Sequence, residues 1–529
     1  MRLISFLLLG VLFSLSSQGH AQSRDYGESL QNFTAAKLLE NAGGSHDHWR
    51  GIGRLSNGDC TATLLDTRDT STNGPTPAYV LTAGHCIEST NGNIVTDRPI
   101  WGLMRFNYFV DTTPQEYRVK KVAWRSMQGV DMAIIELDVS LQKLISEGIQ
   151  PLKLARQKPA DGTDVLIVSA PQGLVPTDFK KNKLRMAACT LQPANELVEG
   201  PWVWRNTMMT RCKDIAGGSS GGPILDRYSN EIIGVMGTGN LKDGLVPCRM
   251  EAPCTPVAKF YTATPGNVYG NPADFLGQCF PQGRIVNNAT WSCPLYPVFT
   301  TVSTDRNAPQ RYLPLKKQAD GSTETPTWNY RFSIDTDFYR HKTVRSAKDC
   351  EKPYYYSDAL SSTDAFINSR IGTQPGYYFL CIVGVESATQ RPSFGLMGNA
   401  LSLPVEILAD PPISQPVLSF TGLRVNLASN EEPNRTYSYK FGPVDATDCS
   451  KKDNYVTSTH LNLQFAETVL PMKLCTIAHA PSGQASEPRT DLLSSQITAQ
   501  PPVRQPHVPA RPQPPVRQLN VPARPHPES

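Results

Sequence analysis

Between Gly51 and Thr264 the apolar residues come in short runs: "TATLLD", "AYVLTA", "IWGLMRFNYFV", "DMAIIELD", "DVLIVSA", "EIIGVMG" and "VAKFYTA". Turn-forming residues separate them, and no long segment with helical periodicity intervenes. Such a pattern folds as an all-β barrel or sandwich. Strands this short and this numerous usually close on themselves.

The first 21 residues, "MRLISFLLLGVLFSLSSQGHA", place one arginine before an apolar run and small residues around Gly19 and Ala21, the layout of a secretory signal peptide. The run from Leu3 to Leu15 is shorter than the roughly 20 residues that span a bilayer, so a membrane anchor is the weaker reading. The expectation is an exported chain, secreted, periplasmic or held at the cell surface, with no integral membrane segment once the leader is removed. The rest of the 529 residues exceed what one hydrophobic core serves, which predicts about three domains. A formal charge of +4 on a chain of this size argues against nucleic acid as the main partner.

An even count of 12 cysteines in an exported chain favours disulfides over metal sites. Their order suggests that neighbours pair: Cys60 with Cys86, Cys189 with Cys212, Cys248 with Cys254, Cys279 with Cys293, Cys350 with Cys381, and Cys449 with Cys475. No Cys-x-x-Cys or His/Cys group has zinc-ligand spacing, so neither a metal nor a cofactor is expected.

Beyond Pro294 the texture shifts to Thr, Tyr, Pro and Asn, and a weak repeat emerges. "NYRF" followed by "SAKDC" at Cys350 is echoed by "SYKF" followed by "DATDC" at Cys449, and "YFLCIVGV" around Cys381 by "MKLCTIAH" around Cys475. A repeat of about a hundred residues is the size of one immunoglobulin- or fibronectin-like sandwich. Two such modules are expected, over 319–408 and 409–496, with a cell-surface or polysaccharide ligand as their natural partner. From Pro501 the sequence "PPVRQPHVPARP" recurs almost unchanged from Pro514, so 497–529 reads as an extended, disordered Pro/Arg-rich tail.

The segment "KDIAGGSSGGPILD", residues 213–226, sets two serines among four glycines. Alone it reads as a loop. Ser220 as a nucleophile needs a base, a group that orients the base, and donors for a developing oxyanion. "LTAGHC" puts His85 just after an apolar strand, and "VDMAIIEL" opens another strand with Asp131. Each has a bland structural explanation; the three together, in one β-rich segment, are far more specific.

"LTAGHC", "VDMAIIEL" and "GSSGGP" resemble the three signatures of the trypsin/chymotrypsin-fold serine proteases. Together with "IGRLSNGDCTATLLD" they look closest in style to secreted bacterial members such as the glutamyl endopeptidases. The resemblance covers residues 45–275 and implies two six-stranded β-barrels with the active site in the cleft between them. A linker with one disulfide, 276–318, follows, and 22–44 is an N-terminal extension. On the family pattern Ser220 attacks the scissile carbonyl, His85 moves the proton, Asp131 orients the imidazole, and the N–H groups of Gly218 and Ser220 form the oxyanion hole. Gly237, Thr238 and Gly239 should form the edge that pairs with substrate backbone. Asp214, six residues before the nucleophile, is at the position that selects Lys or Arg side chains in trypsin-like members. Ala216 departs from the usual cysteine there, and Met236 stands where glutamate-selective members would be expected to carry a histidine. Ser219 replaces the aspartate that meets a new N-terminus in digestive members, so no such insertion switch is expected. The reading is a serine endopeptidase acting on a protein or peptide substrate, with basic residues at the cleaved site. The alternative is an adhesive surface-binding protein that has kept the fold and lost the activity.

Overall fold

The computed structural model describes residues 24–494, apart from 173–181, 287–292, 296–311, 316–321, 409–412, 428–434 and isolated one- or two-residue positions. The leader and the Pro/Arg-rich tail lie outside the described residues. No described helix is long and apolar enough to cross a membrane.

The first barrel is a seven-stranded antiparallel sheet. Its order is Val95–Pro99, Gln115–Ser126, Leu103–Phe106, Ile52–Leu55, Cys60–Leu64, Pro77–Thr82, Met132–Ser140. Gln115–Ser126 also pairs with Met132–Ser140, which closes the sheet. Closure lets one set of alternate side chains, among them Leu64, Val80, Phe106 and Ile135, fill the interior without access to water.

The second sheet runs Lys37–Leu38, Arg185–Thr190, Asp164–Ser169, Pro223–Asp226, Ile232–Gly239, Val268–Pro272, Met208–Thr210. A bridge between Gln192 and Met209 brings its ends together. Val165, Ile167, Ala187, Ile224, Ile233 and Val268 form its core. A further apolar cluster, including Ile52, Ile134, Leu166 and Val168, joins the two sheets. The fold is therefore the all-β double barrel. The N-terminal extension belongs to it, because Lys37–Leu38 is the edge strand paired with Arg185–Thr190 and Asp25 forms an ion pair with Arg227 at 2.7 Å.

Residues 312–408 form a five-stranded sheet in the order Tyr312–Pro314, Leu401–Leu408, Gly376–Val385, Phe338–Val344, Leu360–Ser361, over a core that includes Tyr330, Leu380, Ile382 and Val405. From Asp410 the chain forms a second compact unit. Its sheets are Val456–Ser458, Thr436–Pro443, Met472–His479, Arg489–Leu493 and, separately, Leu418–Thr421, Arg424–Leu427, Asn462–Gln464.

The weak repeat corresponds to the same local construction made twice. Lys342 pairs in register with Cys381, and its ammonium donates to the carbonyls of Lys352 and Tyr354. Lys440 pairs with Cys475 and donates to the carbonyls of Lys451 and Asp453. In each, a tyrosine hydroxyl, of Tyr356 or Tyr455, donates to the carbonyl of the first cysteine. All twelve cysteines pair with their neighbours: Cys60–Cys86, Cys189–Cys212, Cys248–Cys254, Cys279–Cys293, Cys350–Cys381 and Cys449–Cys475.

Candidate active site

Strand register brings the first two groups together. Thr82 pairs with Ala133, so the turn Gly84–Cys86 that follows one strand lies beside Asp131, which precedes the other. The Cys60–Cys86 disulfide ties that turn to the neighbouring strand. His85 Nδ1 lies 2.7 Å from Asp131 Oδ2, and the His85 backbone N–H donates to Oδ1 at 2.9 Å. Both carboxylate oxygens are thus engaged by one residue. Asp131 is 3 % exposed, and its own N–H donates to Asn271 Oδ1 at 3.0 Å.

Ser220 comes from the second barrel, on the loop before Pro223–Asp226. Thr61 of the first barrel stitches that loop in place: its N–H donates to the Ser220 carbonyl at 2.9 Å, and its hydroxyl donates to the Gly218 carbonyl at 2.7 Å. The Ser220 hydroxyl is turned onto the Gly237 carbonyl at 3.4 Å. No hydrogen bond joins it to His85 among the described residues; nucleophile–base bonds are often long without substrate and tighten in the complex. Gly218 has φ +89°, and a Cβ there would meet the Ala170 carbonyl at 3.0 Å. The N–H groups of Ser219, Gly221 and Gly222 are all hydrogen-bonded. Those of Gly218 and Ser220 have no acceptor among the described residues.

Electrostatics couple the pair. Burial alone would lower the pKa of the His85 ring, but the Asp131 charge and hydrogen bond outweigh it and raise it above the ordinary 6.5. Burial alone would raise the Asp131 carboxyl, and His85 outweighs that and holds it below 3.8. The imidazolium and the carboxylate therefore stabilise each other.

His85, Asp131, Ser220 and the edge Gly237, Thr238, Gly239 line one cleft of about 510 Å³. Asp214, the expected selector, is not among the residues that line it. Its backbone has φ +56°, and its carboxylate turns outward to accept the Ala36 N–H at 2.7 Å. Ser219 is buried; its oxygen accepts from Ser169 Oγ at 3.1 Å and from the Ala216 N–H at 3.3 Å.

Sequence reasoning missed the far wall. The hairpin of Leu197–Glu199 and Trp202–Trp204 presents Glu199, Trp202 and Trp204 to the cleft. Glu199 is 5 % exposed. Its carboxylate accepts from the Thr238 hydroxyl at 2.7 Å, Trp204 Nε1 at 3.1 Å and the Glu251 N–H at 3.0 Å. Burial pushes its carboxyl up, against those three donors. The tryptophans in "WVW" were the one visible signal, and they read equally well as core. Thr61 and Asn271 carried none.

A double barrel with a serine, a histidine and a buried aspartate gathered in the cleft between its halves defines a serine hydrolase of the chymotrypsin-like architecture. Residues 60–235 match the family model of the trypsin-like peptidase domain, and the chain carries a trypsin-like serine protease domain. No curated protein matches the chain. Solved structures similar to it include the inactive form of the Rv3671c protease, at 15 % identity, TM-score 0.28, covering 45 % of this chain and 93 % of that one. The active form from M. tuberculosis is similar at 13 % identity and TM-score 0.29, over 50 % and 95 %.

Proposed function

We propose that the chain is an exported serine endopeptidase that cleaves peptide bonds through an acyl-enzyme. Ser220 Oγ attacks the scissile carbonyl while His85 Nε2 takes its proton and then returns it to the leaving amine. Asp131 holds Nδ1–H, fixes the tautomer and stabilises the imidazolium as it forms. The free N–H groups of Gly218 and Ser220 receive the developing oxyanion, where one donor is worth about 2.7–4 kcal/mol. The strand edge at Gly237–Gly239 takes the substrate backbone by β-pairing. The observation that carries this reading is the 2.7 Å bond between His85 and Asp131 inside the cleft that Ser220 enters. The leader and six disulfides support export, since such bonds persist in oxidising compartments. The local bonding of Ser219 supports control without an inserted N-terminus.

The preference for basic side chains now rests on Glu199 instead of Asp214. Its three partners are neutral donors, and no cationic side chain lies within ion-pair distance of it among the described residues. A buried carboxylate left without a counter-charge is costly, and a substrate guanidinium or ammonium relieves that cost. Trp202 and Trp204 supply the apolar walls that such a side chain's stem needs.

The test is labelling with a fluorophosphonate, wild type against Ser220→Ala, followed by cleavage-site profiling on a peptide library. Wild type should label and the variant should not. Labelling that survives the substitution, or a folded wild type that never labels, ends the proposal.

A further inference from the structure

The face of the Leu197–Trp204 hairpin that turns away from the cleft is not in water. Strand alternation sends Glu199, Trp202 and Trp204 to the cleft and Val198 and Val203 to the other side. There they share a core with Ala347, Tyr377 and Phe379 of the sheet built from 312–408. Glu196, just before the hairpin, is buried. One of its oxygens accepts from Ser346 Oγ at 2.7 Å and the Lys348 N–H at 3.2 Å, and the other from the Tyr261 hydroxyl.

Arg205, just after the hairpin, is 2 % exposed. Its guanidinium donates to the carbonyls of Ala400 at 2.9 Å and Gly398 at 2.7 Å. Glu351 Oε1 lies 3.3 Å from Arg205 Nε and accepts from Asn206 Nδ2, also at 3.3 Å. One carboxylate of the 312–408 sheet region therefore engages two successive residues of the protease domain.

Those two residues lead to Asp131. The Arg205 N–H donates to the Gly129 carbonyl at 3.0 Å. Gly129 has φ +71°, and a Cβ there would stand 2.3 Å from Arg205 Nε, so the guanidinium crosses directly over the segment two residues before Asp131. The Asn206 carbonyl accepts from Asn271 Nδ2 at 2.9 Å, and Asn271 Oδ1 accepts the Asp131 N–H.

We propose that the β-module at 312–408 is a working part of the catalytic unit, with Glu351 as the positioning residue that holds Asp131 through Arg205 and Asn206. An isolated two-stranded hairpin is marginal in water, and a buried guanidinium stripped of its carbonyls is costly. The module satisfies both needs, and so fixes the cleft wall and the carboxylate together. It is a buttress of the protease domain.

The test uses the full chain with Glu351→Ala and Glu351→Gln. Activity is normalised to the fraction labelled at Ser220. Glu351→Ala should lower kcat/KM about tenfold or more, as small misplacements of catalytic groups do. It should also move the acid limb of the pH profile to lower pH, because Asp131 is what raises His85. Glu351→Gln keeps an acceptor oxygen and should restore most of both. An alanine variant with the wild-type kcat/KM and pH profile overturns the proposal, as does a glutamine variant no better than alanine.

Hydrogen exchange on the unmodified chain tests the same claim without variants or substrate. The amides of 197–204 and of Asp131 should open together with those of Gly376–Val385. Opening of that strand while the hairpin and Asp131 stay protected also overturns it. The inference rests on the protease reading only for the kinetic test. An unmodified chain that neither labels nor hydrolyses would end that reading while leaving the exchange result to decide this one.

Discussion

Asp131→Asn is the substitution that tests the coupling most directly, because it keeps the shape and removes the charge. Asparagine can still accept the His85 N–H through Oδ1. Its NH2 then faces Nδ1, which must become an acceptor, and the ring proton moves to Nε2, where it blocks the base. Two losses follow. The imidazolium formed in the transition state loses a carboxylate whose nearer oxygen is 2.7 Å away; at an effective dielectric near 20, unit charges about 4 Å apart attract by about 4 kcal/mol. It also loses a hydrogen bond to a charged group, about 1.5–3 kcal/mol. At 1.36 kcal/mol per decade, roughly 5.5–7 kcal/mol lowers kcat by about 10⁴–10⁵, in line with the roughly 10⁴-fold cost of the equivalent change in other triads. The assay is steady-state cleavage of a peptide substrate from about pH 5 to 10, alongside a thermal melt. In the unmodified chain the acid limb of kcat/KM should lie above the ordinary imidazole value of 6.5, since the pair raises His85, and activity should be lost as pH falls through it. The variant's residual acid limb should lie lower. A folded variant that loses less than about tenfold would refute the assigned role of Asp131.

Gly218→Ala places a Cβ 3.0 Å from the Ala170 carbonyl at φ +89°, and should lower kcat by about 10²–10³ with KM little changed, as loss of one oxyanion donor does; a wild-type kcat would remove Gly218 from that role. Replacing Cys60 and Cys86 together by alanine opens a loop of separation 26 and should cost about 3 kcal/mol of stability, read as a lowered urea midpoint; an unchanged midpoint would show that register alone holds the His85 turn. Glu199→Gln should lower the preference for arginine over citrulline in matched peptides by about 30-fold, the low end for losing a buried charge pair; an unchanged ratio would put the selector elsewhere.

The strands and the meeting of the candidate site residues were both legible where they depend on neighbours in sequence. "AYVLTA" and "DMAIIELD" announced buried strands, and the residues at their ends, His85 and Asp131, met because those strands pair. The neighbour order of the cysteines was legible for a similar reason: each pair closes a short loop, none with a sequence separation above 31. For Asp214, spacing from Ser220 gives a position along the chain but not a direction. A positive φ and the Ala36 amide, 178 residues away, decide that. Glu199 was invisible because nothing near it in sequence marks a carboxylate that will be roofed by Trp204 and met by Thr238.

From the sequence alone came the all-β class, the expected leader, the six cysteine pairs, the hundred-residue repeat and the three side chains, of His85, Asp131 and Ser220, that line one cleft. Each follows from short-range pattern or from reactivity that a residue type carries anywhere. Tertiary structure alone decided which carboxylate faces the cleft, that the N-terminal segment is an edge strand of the second barrel, and that Glu351 reaches Asp131 through Arg205 and Asn206. Those outcomes depend on side-chain direction and on distant segments crossing one another, and packing settles both only when the whole chain has closed.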